Sequence, residues 1–293
     1  MNNLPLQKKV QIIHLLVEGN SMRSTSRIAD VSINTVTKLL EQVGRVCMQF
    51  HNDHVVNLTC SKVQADEIWS FVGSKEKNTT EESKAQGMGD AWTWVGIDAD
   101  TKLVVSWLVG HRDAESANEF MSDVAGRVKN RMQLTTDGLH AYLEAVTGAF
   151  GSQIDFAQLV KIYGSSGDGS GGKAERKYSP GRFINAKKTV ISGTPDEKHI
   201  STSFVERQNL TMRMHMRRFT RLTNAFSKKI ENHCHAIALH FVYYNFVKLH
   251  KTLRVTPAMA AKITKRFMSL EDIIRLVPEK KQGLRGTYKK RLE

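Results

Sequence analysis

The chain has 293 residues, of which 40% are hydrophobic, and this excludes a disordered chain because it suffices for a packed core. Its net charge of +14 favours a polyanionic partner such as nucleic acid. Residues 205–293 contain 20 Lys and Arg against 6 Asp and Glu, whereas the rest of the chain is neutral. This asymmetry indicates a nucleic-acid-binding face in the last third; a soluble basic tail is the alternative.

The cysteine pattern and the first residues are typical of a cytoplasmic protein. The three cysteines form no C-x-x-C pair, which argues against structural zinc and a disulfide framework. Gln7, Lys8 and Lys9 lead into an amphipathic run and not into a signal peptide, and the apolar stretches are too short to span a membrane. We therefore expect a cytoplasmic protein with no membrane partner.

Three short helices are predicted at the start of the chain, over residues 6–18, 21–28 and 33–43. Ser32 is a suitable N-cap for the third helix. The tight turn before that helix predicts a helix-turn-helix DNA-binding domain over residues 1–50, with an ordinary three-helix bundle as the alternative. The third helix is predicted to face inward with Ile33, Val36, Leu39 and Leu40 and to face DNA with Asn34, Thr35 and Lys38.

From residue 62 the hydrophobic period changes to that of strands. Strands are predicted over 62–72, 91–99, 103–110, 132–136 and 154–163, and helices over 113–129 and 139–146. This order predicts an α/β fold, a mixed sheet with helices on its faces.

The remaining segments are less regular. A Gly/Ser-rich and then basic stretch predicts a mobile insertion or loose hairpin over residues 164–200. The chain is predicted to be helical from 201 to about 250, with one more helix at 258–268. The expected domains are therefore 1–50, a catalytic domain over 60–250, and a basic C-terminal segment over 251–293.

Three carboxylates stand at positions that suggest a functional role. Asp66 lies inside an apolar strand, Asp137 follows a strand where Gly138 frees the backbone, and Glu206 begins a basic helix. They meet if the first and fourth strands are neighbours and the helix crosses their ends. Hard divalent cations prefer carboxylate oxygen, and a pair of such ions supports phosphoryl transfer.

Neighbouring acids and polar residues admit other interpretations. Asp98 is interpreted as a hairpin residue, and Glu67 as a non-functional neighbour because adjacent strand residues face opposite ways. Asn209 and Arg213 share the helix face of Glu206 and are predicted to hold metal and DNA phosphates; helix-surface salt bridging is the alternative. A zinc site is rejected in favour of packing roles for His233, Cys234, His235 and His240.

These motifs resemble the Asp-Asp-Glu transposases of bacterial insertion sequences, most closely the insertion-sequence-one family. The matching segments are DEIWSFV from Asp66, TDGLHAY from Thr136 and SFVERQNLTMR from Ser203. The last contains the family's E-x6-R arrangement, Glu206 to Arg213. YNFVKLHKTLRVTPA from Tyr244 is similar to the closing helix and turn of several such families, and the similarity covers roughly residues 20–265.

The resemblance implies a ribonuclease-H-like core in which Asp66, Asp137 and Glu206 hold Mg²⁺ or Mn²⁺, expected as two ions. It also implies cleavage at terminal inverted repeats, strand transfer into target DNA, a homo-oligomer on DNA and a place with the bacterial nucleoid. Related transposases often carry a Cys-pair zinc module before the helix-turn-helix, and this chain has none. The rival functions are a transposase remnant acting as a repressor and a nuclease of the same fold. Further DNA contacts are predicted at Arg217, Arg218 and Arg221.

Overall fold

The computed structural model describes residues 4–164, 183–220 and 223–278. Three helices come first: α1 (Leu6–Val17), α2 (Met22–Ile28) and α3 (Ile33–His54). Ser21 and Ser32 cap α2 and α3, because their hydroxyl oxygens accept hydrogen bonds from the backbone N–H of Ser24 and Thr35.

The third helix differs from its prediction in length and in one inward position. It continues to His54 and does not end at Val43, because buried positions recur along it as far as His51. Val36, Leu39 and Leu40 are buried as predicted, whereas Ile33 is 41% exposed. Ile33 is the first residue of the helix and lies beyond the neighbours that cover the next turns.

A six-stranded mixed sheet forms the centre of the molecule, in the order β3-β2-β1-β4-β5-β6. Strands β1, β4 and β5 are parallel to one another, and the other neighbours are antiparallel. The predicted mixed sheet is confirmed, and three of the predicted strands have the predicted bounds. The strands are β1 (Lys62–Val72), β2 (Gly89–Asp98), β3 (Val104–Gly110), β4 (Met132–Thr136), β5 (Ile154–Tyr163) and β6 (Phe183–Ser192).

Strand β6 corrects part of the predicted insertion over 164–200. Residues 183–192 form a strand that pairs with residues 156–163 of β5, and apolar strand formers stand at both ends of the segment. Residues 165–182 lie outside the described residues. Strand β6 forms one edge of the sheet and is largely exposed on both faces, with Lys187 and Lys188 at its middle.

Helices cover both faces of the sheet. On one face, α5 (Ala114–Arg127) and α6 (Ala141–Phe150) place the rings of Phe120 and Tyr142 5.9 Å and 5.4 Å from the ring of Trp94. The other face carries α7 (Ser203–His215) and α8 (Ile230–Val242), whose apolar side chains bury Ile68 of β1. A short helix, α4 (Glu81–Ala85), lies between β1 and β2.

The C-terminal third is less helical than predicted. Helices α7 and α8 are separated by a segment in which Ser227 forms a bridge with Val72, the last residue of β1. The single helix predicted at 258–268 is replaced by α9 (Pro257–Ala260) and α10 (Leu270–Arg275). The left-handed backbone of Lys262, with φ of 61°, ends the first of these. Residues 279–293 of the basic segment lie outside the described part of the chain.

One continuous core joins the N-terminal helices to the sheet. Ile12 of α1 and Val36 of α3 belong to the same buried cluster as Val63 of β1 and Leu134 of β4. Helix α3 also packs along α8 so closely that a Cβ on Gly44 would come within 2.4 Å of the His235 Cβ. The first 50 residues therefore share their core with the sheet.

None of the described helices has the length and apolar character needed to cross a bilayer.

Candidate active site

The register of two parallel strands brings Asp66 and Asp137 together. Ala65 of β1 pairs with Thr136, the last residue of β4. Asp66 and Asp137 are the next residues of the two chains, and β1 continues beyond them to Val72 without β4 beside it. The two carboxylates therefore share the edge that opens where β4 ends, as predicted from the order of the strands.

Glu67 joins this pair, although it was interpreted as a non-functional neighbour. Asp66 faces α7 and Glu67 faces α6, so the predicted opposite orientation is correct. One oxygen from each of Asp66, Glu67 and Asp137 nevertheless lies within 4.8 Å of the others. Side chains from both faces can reach the same point because the neighbouring strand stops there. We call these three residues the acidic cluster.

The environment of the acidic cluster penalises its negative charge. Burial, with the charges of Glu67 and Asp137, raises the pKa of Asp66 to about 7. Burial, with the charge of Asp137, also raises the pKa of Glu67. Arg112 partly compensates: its Nε donates to Glu67 Oε2 at 3.1 Å, and its Nη2 lies 3.6 Å from Asp137 Oδ2. A bound cation would offset the same penalty.

Glu206 lies beside the acidic cluster but has other partners. It is close enough for its charge to contribute to the raised pKa of Asp66. Both of its carboxylate oxygens accept hydrogen bonds from Lys161 Nζ of β5, and Oε1 also accepts one from the Thr202 hydroxyl. The structure thus leaves Glu206 outside the acidic cluster, near Asp66 and ion-paired to Lys161.

Asn209, predicted to hold metal and DNA phosphates, contacts the acidic cluster directly. It lies one turn after Glu206 on α7, and its Nδ2 donates a hydrogen bond of 2.9 Å to Asp66 Oδ2. The side chain is buried, and its Oδ1 has no hydrogen-bond partner among the described residues. Its position therefore supports a role in orienting Asp66.

Gly138 lies close against the Val160 side chain of β5. A Cβ at this position would lie 2.7 Å from Val160 Cγ2 of β5, whereas its φ is not in the left-handed region. The predicted backbone freedom of glycine is therefore not used at Gly138. The close approach holds the turn after Asp137 against β5, and the Leu139 N–H donates to Asp137 Oδ1.

The predicted DNA-binding arginines separate into different environments. Arg213 is half-buried on α7, and Arg217 is exposed just after this helix. Arg218 instead donates through Nη1 to Ser227 Oγ and to the Asn232 carbonyl, and burial lowers its pKa to about 10. These internal bonds argue against Arg218 as a phosphate contact. Arg221 lies outside the described residues.

On the third helix, Asn34 and Lys38 are exposed as predicted. Thr35 is half-buried, and its hydroxyl shares a hydrogen bond of 2.9 Å with the Ser32 hydroxyl. The structure therefore leaves Asn34 and Lys38 as the more accessible of the three predicted contacts.

The remaining candidates have structural roles. Asp98 accepts hydrogen bonds from the backbone and hydroxyl of Thr101, as expected for a hairpin residue. His233, His235 and His240 are buried, and His233 contacts the hydroxyls of Ser70 and Ser227. Within the described ranges, the acidic cluster is the only group of three or more acidic, His or Cys side chains arranged to hold a metal ion.

The acidic cluster fits a hard divalent cation. Its donors are carboxylate oxygens, the atoms that Mg²⁺ and Mn²⁺ prefer, and the buried Asn209 Oδ1 lies on a side chain bonded to one of them. Mg²⁺ usually keeps several water ligands and takes few carboxylates, so three acids at a partly open edge suffice.

The comparisons with known proteins add little. No protein family and no curated protein sequence matches the chain. Among solved structures, the piggyBac transposase synaptic complex with hairpin DNA is 8% identical, with a TM-score of 0.40, and the match covers 93% of this chain and 69% of that one. The Mos1 strand transfer complex is 9% identical, with a TM-score of 0.22 and coverages of 82% and 78%. At TM-scores this low, the likeness carries no conclusion about fold or function.

Proposed function

We propose that the protein is a transposase that cleaves DNA at the ends of a mobile element and joins those ends to target DNA. The observation that carries the proposal is the acidic cluster, where carboxylates from two neighbouring parallel strands meet beside Glu206 of α7. The sequence motifs around Asp66, Asp137 and Glu206 supply the family resemblance, and the basic last third supplies the expected charge for DNA.

We further propose that the core is ribonuclease-H-like and of the Asp-Asp-Glu type. Support comes from the central position of β1 and from the helix that carries Glu206 against it. Asp66 and Asp137 would hold Mg²⁺ or Mn²⁺, with Glu206 completing the set once Lys161 gives way. Such ions activate the attacking oxygen and stabilise the leaving oxygen in phosphoryl transfer.

Within this scheme, the chain's own residues orient the acids. Asn209 holds Asp66, Thr202 holds Glu206, and the Leu139 N–H holds Asp137. Helix α3 is proposed to recognise the element ends through Asn34 and Lys38, and a second copy of the chain to bind the other end. A bacterial cytoplasm is the expected setting.

The test is cleavage of a linear DNA that carries the gene with its flanking sequence, in Mg²⁺ or Mn²⁺. Asp66→Asn, Asp137→Asn and Glu206→Gln should each abolish cleavage and leave DNA affinity within a few-fold, since affinity depends mainly on basic residues. Asp98→Asn is the matched control, because Asp98 is also a buried carboxylate with a raised pKa. Full cleavage by any of the three variants would remove that residue from the site.

The same assay separates the rival functions. A repressor would bind the DNA and cut nothing in any metal, and a nuclease would cut without joining the ends to a second DNA. Inverted repeats that bracket the gene, with short target duplications outside them, would favour the transposase.

A further inference from the structure

A group of aromatic side chains lies next to the acidic cluster on the α6 side of the sheet. Trp69 follows Glu67 on the same face of β1 and stands directly opposite Trp92 of β2. Phe71 is next on this face, with its ring 5.7 Å from Trp69 and 4.9 Å from Phe226. We call Trp69, Phe71, Trp92 and Phe226 the aromatic platform.

The aromatic platform is only partly covered. Trp94 is fully buried beneath the rings of α5 and α6, whereas Trp92, two residues earlier on the same face, is half-buried. The other three members of the platform are also half-buried. Adjoining aromatic side chains that stay partly accessible to water can form part of a binding surface.

Cations border the platform on two sides. Lys75 Nζ lies 5.6 Å from the ring of Trp69 and 5.9 Å from that of Phe71. The Arg112 guanidinium lies 4.9 Å from the ring of Trp92 and is the same group that bridges Glu67 and Asp137. The platform is therefore continuous with the acidic cluster, and its borders favour an anionic ligand.

We propose that the aromatic platform binds unpaired nucleobases of the DNA strand whose phosphate lies at the acidic cluster. Aromatic faces interleaved with cations bind single-stranded nucleic acid, because every base offers a face for stacking and every nucleotide carries a phosphate. Trp69 and Trp92 stack the bases, and Lys75 and Arg112 contact the phosphates. The Glu67-to-Trp69 spacing is about 7 Å along the strand, so base and reacting phosphate belong to neighbouring nucleotides.

That the ligand is DNA rests on the proposed function. The strand near the cut must be unpaired, because bases stacked in a duplex cannot present their faces to the platform. The same surface could be offered to a second copy of the chain, and the test below distinguishes that occupant.

The experiment uses the full chain in EDTA, so that no cleavage occurs, with labelled oligothymidine of about 15 nucleotides and a duplex of equal length. Fluorescence anisotropy measures the two dissociation constants. We expect Trp69→Leu and Trp92→Leu each to weaken oligothymidine binding by at least about fivefold, and duplex binding by less than twofold. Trp69→Phe and Trp92→Phe keep an aromatic face and should retain most of the affinity. Phe267→Leu, at an exposed phenylalanine of the C-terminal region, is the control.

A second measurement needs no substitution. Bound oligothymidine should quench the tryptophan emission of the wild-type chain, and the absence of quenching would overturn the proposal. So would Leu variants that bind oligothymidine as tightly as wild type, or that lose single-strand and duplex binding equally. Loss of self-association in sedimentation, with oligothymidine binding unchanged, would assign the platform to a second copy.

The two proposals fail separately. Asp66→Asn should lose cleavage and keep oligothymidine binding. A wild-type chain that cuts no DNA but shows tryptophan-dependent binding would contradict only the proposed function. A chain that cuts DNA but binds oligothymidine independently of Trp69 and Trp92 would contradict only the platform.

Discussion

Asn209 Nδ2 donates a hydrogen bond of 2.9 Å to Oδ2 of Asp66, and this bond joins α7 to β1 at the acidic cluster. The two residues are separated by 143 positions in the sequence, so the bond exists only because α7 crosses the sheet at this point. An amide that holds one oxygen of a carboxylate fixes the direction of the other.

Asn209→Ala is therefore expected to impair metal-dependent cleavage by about tenfold or more and to raise the Mg²⁺ concentration required, since Asp66 loses its orientation. Cleavage rates across a Mg²⁺ titration measure both effects. Leu210→Ala is the control, because Leu210 is the next residue on the helix and is exposed. An unchanged Mg²⁺ dependence in Asn209→Ala would show that Asp66 needs no such partner.

Glu67 and Arg112 should be energetically coupled. Arg112→Met leaves the buried Glu67 without its cation, and we expect a loss of about 1–2 kcal/mol in the free energy of unfolding, moderated because Arg112 is partly exposed. Adding Glu67→Gln should restore most of this loss. Urea unfolding of the two single variants and the double variant gives the coupling, with the exposed Arg45–Glu41 pair as control. Additive effects would contradict the coupling.

End recognition is expected to depend on the exposed side of α3. Asn34→Ala and Lys38→Ala should reduce the preference for element ends over random DNA, since residues at the start of a recognition helix reach base edges. Competition binding measures this preference. Arg45→Ala, further along α3 and paired with Glu41, should leave it intact. If Asn34→Ala and Lys38→Ala bind with wild-type preference, recognition belongs elsewhere in the chain.

Arg213 is expected to affect the yields of DNA cleavage and joining more than the overall affinity for DNA. It lies 7 residues after Glu206 on α7, about 10 Å along the helix, where a guanidinium can hold a neighbouring phosphate through two hydrogen bonds. Arg213→Ala should reduce end cleavage and joining at saturating enzyme, and Arg213→Lys should be intermediate. Arg217→Ala should instead weaken binding and its salt dependence. Normal yields for Arg213→Ala at saturation would make Arg213 one more electrostatic contact.

Buried histidines should make the fold sensitive to acid. Burial, with His215 and Lys248 nearby, lowers the pKa of His240 to about 3, against 6.5 for an ordinary histidine. The unfolded chain therefore takes up a proton that the folded chain does not. This contribution to stability is fully present above pH 6.5 and is lost as the pH falls, by up to about 1.4 kcal/mol per pH unit.

The variant His240→Leu isolates this contribution, because the titration of other groups cancels between variants. Between pH 7 and pH 5 its free energy of unfolding should fall by about 1–2 kcal/mol less than that of the wild type. Urea unfolding at the two pH values is the measurement, and His140→Gln, at an exposed histidine, should behave as wild type. Equal pH dependence of His240→Leu and wild type would show that the pKa of His240 is the same in the folded and unfolded chains.

The sequence predicts those features that depend on local pattern. Strands β1, β4 and β5 have their predicted bounds because apolar runs bounded by polar residues identify strands, and the meeting of Asp66 with Asp137 follows from their order. Features that depend on tertiary register could not be predicted. Glu67 joins the acidic cluster only because β1 continues beyond the end of β4. The role of Asn209 depends on how α7 is rotated above Asp66.

Strand β6 also depends on a tertiary contact that the local sequence does not encode. Its pairing with β5 depends on a partner that stands before the Gly/Ser-rich segment, so local composition suggested a loose insertion. The segment between α7 and α8 likewise contains the bridge between Ser227 and Val72, a tertiary contact that no helical pattern around residue 227 encodes.

The two lysines at the middle of β6 restrict how copies of the chain can associate. Two copies that extended the sheet through this edge, related by a twofold axis at the strand's midpoint, would place Lys187 of one opposite Lys188 of the other. Four ammonium groups would then crowd one ladder, and like charges directly opposite destabilise strand pairing. The lysines thus disfavour edge-to-edge pairing of two copies along β6, although Ile184 and Val190 are exposed there.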